Sequence, residues 1–209
     1  MIIVLVTILL SMTLHEAMHA FMGYFLGDDT AKAQGRLSLN PIKHIDPIMT
    51  IALPLFLAVM GGPIFGGAKP VPFNPYKVRY GEWGAALVAI AGPLTNLLIA
   101  FVVFGVGVLS GVITSAGVEA TLAGQIIITA VSVNLGFFVF NILPIPPLDG
   151  SRVLYALAPD PVKAGMEYIE RYGIFLVFGL VLIGASVLGQ IMAGGINGIL
   201  QLFMTIFRV

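Results

Sequence analysis

Residues 1–26 form an almost unbroken apolar run with His15, Glu16 and His19 set inside it. The other polar side chains there are Thr7, Ser11, Thr13 and Tyr24. At about 1.5 Å per residue such a run crosses a ~30 Å hydrocarbon core, so it predicts a membrane-spanning helix. An acidic side chain at the centre of such a helix costs roughly 2.5–3.5 kcal/mol on insertion scales, so an acid retained there is read as functional. On a helix, His15 and His19 are four residues apart and share one face. His15-Glu16-Ala17-Met18-His19 is thus the H-E-x-x-H arrangement, in which two imidazoles hold a zinc ion and the Glu between them acts as general base. The competing reading is a polar patch that packs two helices. A divalent cation between the imidazoles would offset the charge of Glu16, and this favours the metal. His15 lies roughly 21 Å from the N-terminal end, in the half of the membrane that faces the following loop.

Composition narrows the class. Of 209 residues 58% are hydrophobic and 10% charged, whereas soluble domains carry about 25% charged residues. This predicts an all-α polytopic membrane protein in contact with the lipid bilayer. Zero net charge and the lack of a basic face give no support for nucleic-acid binding. There are no cysteines, so disulfides are excluded and any zinc must use nitrogen and oxygen ligands. Twenty-five glycines and thirteen prolines fit close helix contacts and broken helices. The first run lacks a basic leader and carries the motif itself, so it is not read as a cleaved signal peptide. Residues 1–209 read as a single membrane-embedded domain, with a core over about 1–160 and a helical hairpin over about 173–208.

Apolar runs predict spans at 1–26, about 84–110, about 123–144, about 173–188 and about 190–207, with Gly189-Gln190 turning between the last two. After the first helix, Ala33–Leu39 alternates small or apolar residues with polar ones, which predicts a short strand or β-hairpin ended by Asn40-Pro41. Residues 48–66 are apolar but interrupted by Pro54 and Gly61-Gly62-Pro63, and Ala68–Pro75 is too proline-rich for a helix. If 48–66 is re-entrant, all ten Lys and Arg fall on one side; if it crosses, they divide seven against three. The positive-inside rule favours the re-entrant form with five spans, the N-terminus outside and His15 towards the cytoplasm; a sixth span is the alternative.

A catalytic zinc takes three protein ligands and a water. His44, in Lys43-His44-Ile45-Asp46-Pro47, reads as a loop or interfacial histidine. Asp149 is the better third ligand. It closes Asn141-Ile142-Leu143-Pro144-Ile145-Pro146-Pro147-Leu148-Asp149-Gly150, where prolines end a span and a carboxylate follows at the depth of His15. An ordinary Asp-Gly turn is the alternative.

These segments, together with Ala91-Gly92-Pro93-Leu94-Thr95-Asn96, resemble the site-2 protease family of intramembrane zinc metalloproteases, in its short prokaryotic form without a PDZ or CBS domain. Residues 39–47 and 68–72 are similar to the same family, and the match runs from about 10 to 160. The resemblance implies that His15, His19 and Asp149 bind one Zn2+ and that Glu16 activates its water. It also implies that Asn141 donates near the scissile carbonyl or peptide backbone; Asn96 reads as packing first and site support second. The implied substrates are transmembrane-helix proteins in the cell membrane, such as anti-sigma factors, membrane-bound transcriptional regulators or remnant signal peptides. Ala33–Leu39 and 48–66 are where a groove for the unwound peptide is expected. A non-enzymatic zinc transporter using the same ligands is the rival. The far sides of the spans disfavour a transit path, since Glu119 is the lone charge in its loop.

Overall fold

The computed structural model describes residues 2–52, Phe56, 67–182 and 184–209. The first apolar run is helix α1 (Ile2–Phe25), in which Thr13 Oγ1 donates to the Leu9 carbonyl at 2.7 Å. A single turn, α2 (Thr30–Ala33), follows. Then come a 3-10 turn at Pro41–His44, capped by the Asn40 side chain accepting from Ile42 N–H at 3.0 Å, and a π-helical turn at Pro47–Ala52.

The strand expected over Ala33–Leu39 does not form. Ala33 N–H donates to the Asp29 carbonyl at 2.9 Å and Arg36 N–H to the Ala31 carbonyl at 2.8 Å, so the backbone closes on itself rather than pairing with a neighbour. The period-two pattern there belongs to a turn that buries Arg36, whose guanidinium donates to the Lys69 carbonyl at 2.6 Å.

Most of the expected re-entrant segment 48–66 lies outside the described residues. Its flanks, however, are bonded to each other: Thr50 Oγ1 donates to the Gly67 carbonyl at 2.7 Å and Lys69 N–H to the His44 carbonyl at 2.9 Å. Both flanks therefore sit at the same end of the bundle. Residues 67–80 then run as a strap along the C-terminal half of α1, kept out of helix by Pro70, Pro72 and Pro75. Three backbone donors tie it down: Val71 N–H to Glu16 Oε2 at 2.9 Å, Asn74 N–H to Asp28 Oδ2 at 2.7 Å and Arg79 N–H to the Leu26 carbonyl at 2.9 Å.

Helix α3 (Gly81–Leu109) contains Pro93 and packs against α1. The two-stranded antiparallel sheet, β1 (Ile113–Thr114) with β2 (Gly117–Val118), lies in the following connection rather than after α1. Helix α4 (Leu122–Asn141) begins at Thr121, whose hydroxyl accepts from Gly124 N–H at 3.1 Å, and packs against α1 and α3. The proline-rich turn leads into two amphipathic helices, α5 (Gly150–Leu157) and α6 (Asp160–Glu170). Lys163 of α6 reaches Glu82 at the start of α3 at 2.6 Å.

Helices α7 (Gly173–Leu182) and α8 (Ala185–Phe207) complete the chain. The expected turn at Gly189-Gln190 is corrected: both residues lie inside α8, which starts from Gly184, whose carbonyl accepts from Leu188 N–H at 2.8 Å. A glycine within an apolar membrane helix is tolerated and is weak grounds for a break. At about 1.5 Å per residue α7 rises only ~15 Å, half of a hydrocarbon core. Among the described residues, the helices long and apolar enough to cross a membrane are α1, α3, α4 and α8, so the chain is an all-α polytopic membrane protein.

The far half of α3 meets α4 and α8 in an apolar cluster of Ala100, Phe104, Ile113, Val131, Leu135 and Phe203. Its near half, from Val88 to Asn96, faces the polar stretch of α1.

Candidate metal centre

Helix α1 presents His15 and His19 one turn apart, with ring centroids 4.6 Å apart and the rings nearly perpendicular. Asp149 reaches them from the turn between α4 and α5. That turn depends on Gly150, where a Cβ would lie 2.1 Å from the Ile142 carbonyl oxygen. Three atoms converge: His15 Nε2 is 3.0 Å from His19 Nε2, and Asp149 Oδ2 is 3.1 Å from the first and 3.4 Å from the second.

The other ring nitrogens bear on whether this group could hold a metal ion. His19 Nδ1 is 2.7 Å from the Val88 carbonyl, which can only accept, so Nδ1 carries the proton. His15 Nδ1 is 2.6 Å from Asn96 Oδ1. In the neutral rings both Nε2 atoms therefore present lone pairs to each other and to a carboxylate, an arrangement that calls for a cation. Zinc–nitrogen and zinc–oxygen bonds of about 2.0–2.2 Å give a tetrahedron with edges of about 3.3–3.5 Å, close to the three separations here. His15, His19 and Asp149 form a group that could hold a metal ion.

Helix α3 closes one side of the group. A Cβ at Gly92 would lie 2.4 Å from His19 Nε2 and 2.8 Å from His15 Cε1, so this position has no room for a side chain.

The remaining candidates are placed as follows. Glu16 is half-buried beside the ligands, with Oε2 held by Val71 N–H of the strap at 2.9 Å. His44 is buried elsewhere, its Nε2 donating to the Ser38 carbonyl at 2.7 Å, which fits the loop reading. Asn141 ends α4 and donates one amide hydrogen to the Phe137 carbonyl at 3.0 Å. Asn96, read first as packing, is fully buried and bonded directly to His15.

Three contributors escaped the sequence reading. The Val88 carbonyl and the Val71 N–H are backbone groups with no sequence signature. Asn134, whose Oδ1 accepts from Asn96 Nδ2 at 2.9 Å, does have one: an amide in the middle of a mostly apolar span.

Known proteins resemble this chain. It is 42% identical over 207 residues to the protein named "Putative zinc metalloprotease YwhC" of Bacillus subtilis, covering 97% of this chain and 91% of that one. Rip2 of Mycolicibacterium smegmatis, named in the same way, is 29% identical over 180 residues, covering 83% of this chain and 64% of its own. MJ0611 of Methanocaldococcus jannaschii, also so named, is 40% identical over 67 residues, or 32% of this chain. No family model and no solved structure matches the chain.

Proposed function

Because this chain belongs to the zinc metalloprotease family of YwhC and has, among its described residues, four helices fit to cross a membrane, we propose that it is an intramembrane peptidase of the site-2 protease type. The observation that carries the reading is the convergence of His15 Nε2, His19 Nε2 and Asp149 Oδ2 within a bundle of such helices. In this reading those three atoms hold one zinc ion. Zinc bound there supplies Lewis acidity and lowers the pKa of its water from 15.7 to about 7.

The rest of the chemistry falls to the protein. With Oε2 of Glu16 engaged by Val71 N–H, Oε1 takes the proton from the attacking water and passes it to the leaving amine. Asn141 keeps a second amide hydrogen beyond its bond to Phe137, and we assign that hydrogen to the carbonyl oxygen on which negative charge develops. The Val88 carbonyl and Asn96 keep the imidazoles turned so that Nε2 faces the ion.

The substrate in this reading is a transmembrane helix that unwinds near the site, since helical hydrogen bonds shield its carbonyls. Anti-sigma factors, membrane-bound transcriptional regulators and remnant signal peptides have that form. Orientation follows from charge. The connectors at the His15 end carry Lys32, Arg36, Lys43, Lys69, Lys77 and Arg79, then Arg152, Lys163 and Arg171, while 110–121 carries no Lys or Arg. Arg208, expected on the same side, instead follows Phe207, which packs against Gly105 in the far half of α3, and so falls at the opposite end. This asymmetry supports an orientation with the His15 end towards the cytoplasm and the N-terminus outside the cell membrane.

The test compares purified wild type with Glu16→Gln for bound zinc and for cleavage of a model transmembrane peptide. Both proteins should bind zinc, and the variant should lose cleavage by about 10²–10⁴-fold. Zinc flux through vesicles by a wild type that does not cleave would overturn the protease in favour of a transporter.

A further inference from the structure

We propose that Asn134, a residue of α4 hydrogen-bonded to Asn96, decides which nitrogen of His15 faces the metal. The inference rests on the zinc-site reading above and adds a positioning residue to it.

The argument is one of donors and acceptors. Asn134 Nδ2 donates to the Ala130 carbonyl at 2.8 Å, and a carbonyl can only accept. This turns Asn134 Oδ1 towards Asn96, whose Nδ2 donates to it at 2.9 Å. The same Nδ2 lies 3.4 Å from the Ser11 carbonyl, a contact too long to orient the amide alone. The end of Asn96 left for His15 is therefore Oδ1, 2.6 Å from Nδ1. His15 Nδ1 thus carries the proton, and Nε2 keeps its lone pair towards His19 and Asp149. Were Asn96 reversed, its NH2 group would face Nδ1 and favour the tautomer with a proton on Nε2, where the ion must bind.

The two imidazoles differ in how they are held. His19 is fixed by the Val88 backbone carbonyl, an acceptor that no side-chain change removes. His15 is fixed by an amide that is symmetric in shape but not in chemistry, so something must tell its two ends apart. Asn134 does so. Asn96 and Asn134 are 0% and 1% exposed, so water does not substitute for the missing partner.

The test is zinc affinity of the purified full-length protein, measured by competition with a chelator. Asn134→Leu, close to Asn in size and suited to an apolar helix, should bind zinc about 10–100-fold more weakly than wild type, the usual cost of losing an outer partner of a metal-bound histidine. Asn134→Ala, which removes the amide without adding volume, should do the same. Asn96→Asp placed on Asn134→Leu should restore affinity close to wild type, because a carboxylate accepts through either oxygen and needs no orienting partner. Wild-type affinity in both single variants overturns the proposal, and so does a double variant that binds as weakly as Asn134→Leu. A wild-type chain that binds no zinc overturns the metal site together with this inference, which separates the two failures.

Discussion

Asn96 and Ala100 stand one turn apart on α3, both 0% exposed, yet they belong to two different interiors. Ala100 joins Phe104, Val131, Leu135 and Phe203, where Phe101 and Phe203 meet edge to face at 5.2 Å. Asn96 joins His15, Asn134 and the Ser11 carbonyl in a chain of hydrogen bonds. In a bilayer the first interior gains little from the hydrophobic effect, because lipid tails are as apolar as the side chains they would replace; shape and aromatic contact hold it. The second would be costly if any member lost its partner, since no water is at hand to replace it. One helix thus serves as scaffold along its far half and as part of the site along its near half, and the two halves should fail in different ways.

The sharpest separation is expected at Gly92. Alanine is the better helix former, so propensity alone would stabilise α3. The added Cβ would sit 2.4 Å from His19 Nε2, and Gly92→Ala should cut zinc affinity on the order of tenfold or more, in line with other disturbances of metal-bound histidines. Chelator competition measures this, and thermal unfolding of the metal-free protein should stay near wild type. Wild-type zinc affinity would show that the near half yields more readily than its packing implies.

Phe203→Ala is the reverse case. Such truncations cost about 3–5 kcal/mol in water-soluble cores, and less is expected here because lipid is apolar too. Thermal unfolding in detergent should fall while zinc affinity and cleavage per folded molecule hold. Loss of zinc in this variant would mean that the two interiors are coupled.

The smallest effect is expected outside both, at the exposed Asp29–Lys77 pair, 2.6 Å apart. The Lys77 ammonium holds the Asp29 carboxyl below its ordinary value. The depressed value means that the pair's contribution is present above the ordinary carboxylate range and lost as pH falls through the lowered one. Because the pair is solvated, Asp29→Asn should leave unfolding and cleavage at neutral pH nearly unchanged, and any small difference should vanish on acidification.

What the sequence made legible follows the same division. Apolar runs located α1, α3 and α4, and four-residue spacing placed His15 and His19 on one face. Asp149 could be singled out because prolines end the preceding span just before it. Period-two alternation at Ala33–Leu39 misled, because a turn that buries Arg36 against the Lys69 carbonyl has the same pattern as a strand. Gly189-Gln190 misled because helix α8 runs through it. Asn134 could be seen but not interpreted, since its meaning depends on Asn96, thirty-eight residues away and met only in the folded bundle.

The central claim is that one carboxylate and two imidazoles meet at a single ion. X-ray absorption at the zinc edge of the purified protein tests it most directly. The account predicts two imidazole nitrogens at about 2.0–2.1 Å, the rest of the shell being oxygen at about 2.0–2.2 Å, and a shell altered by Asp149→Ala. Three imidazoles, which would bring in His44, or a zinc shell unchanged by Asp149→Ala would contradict it.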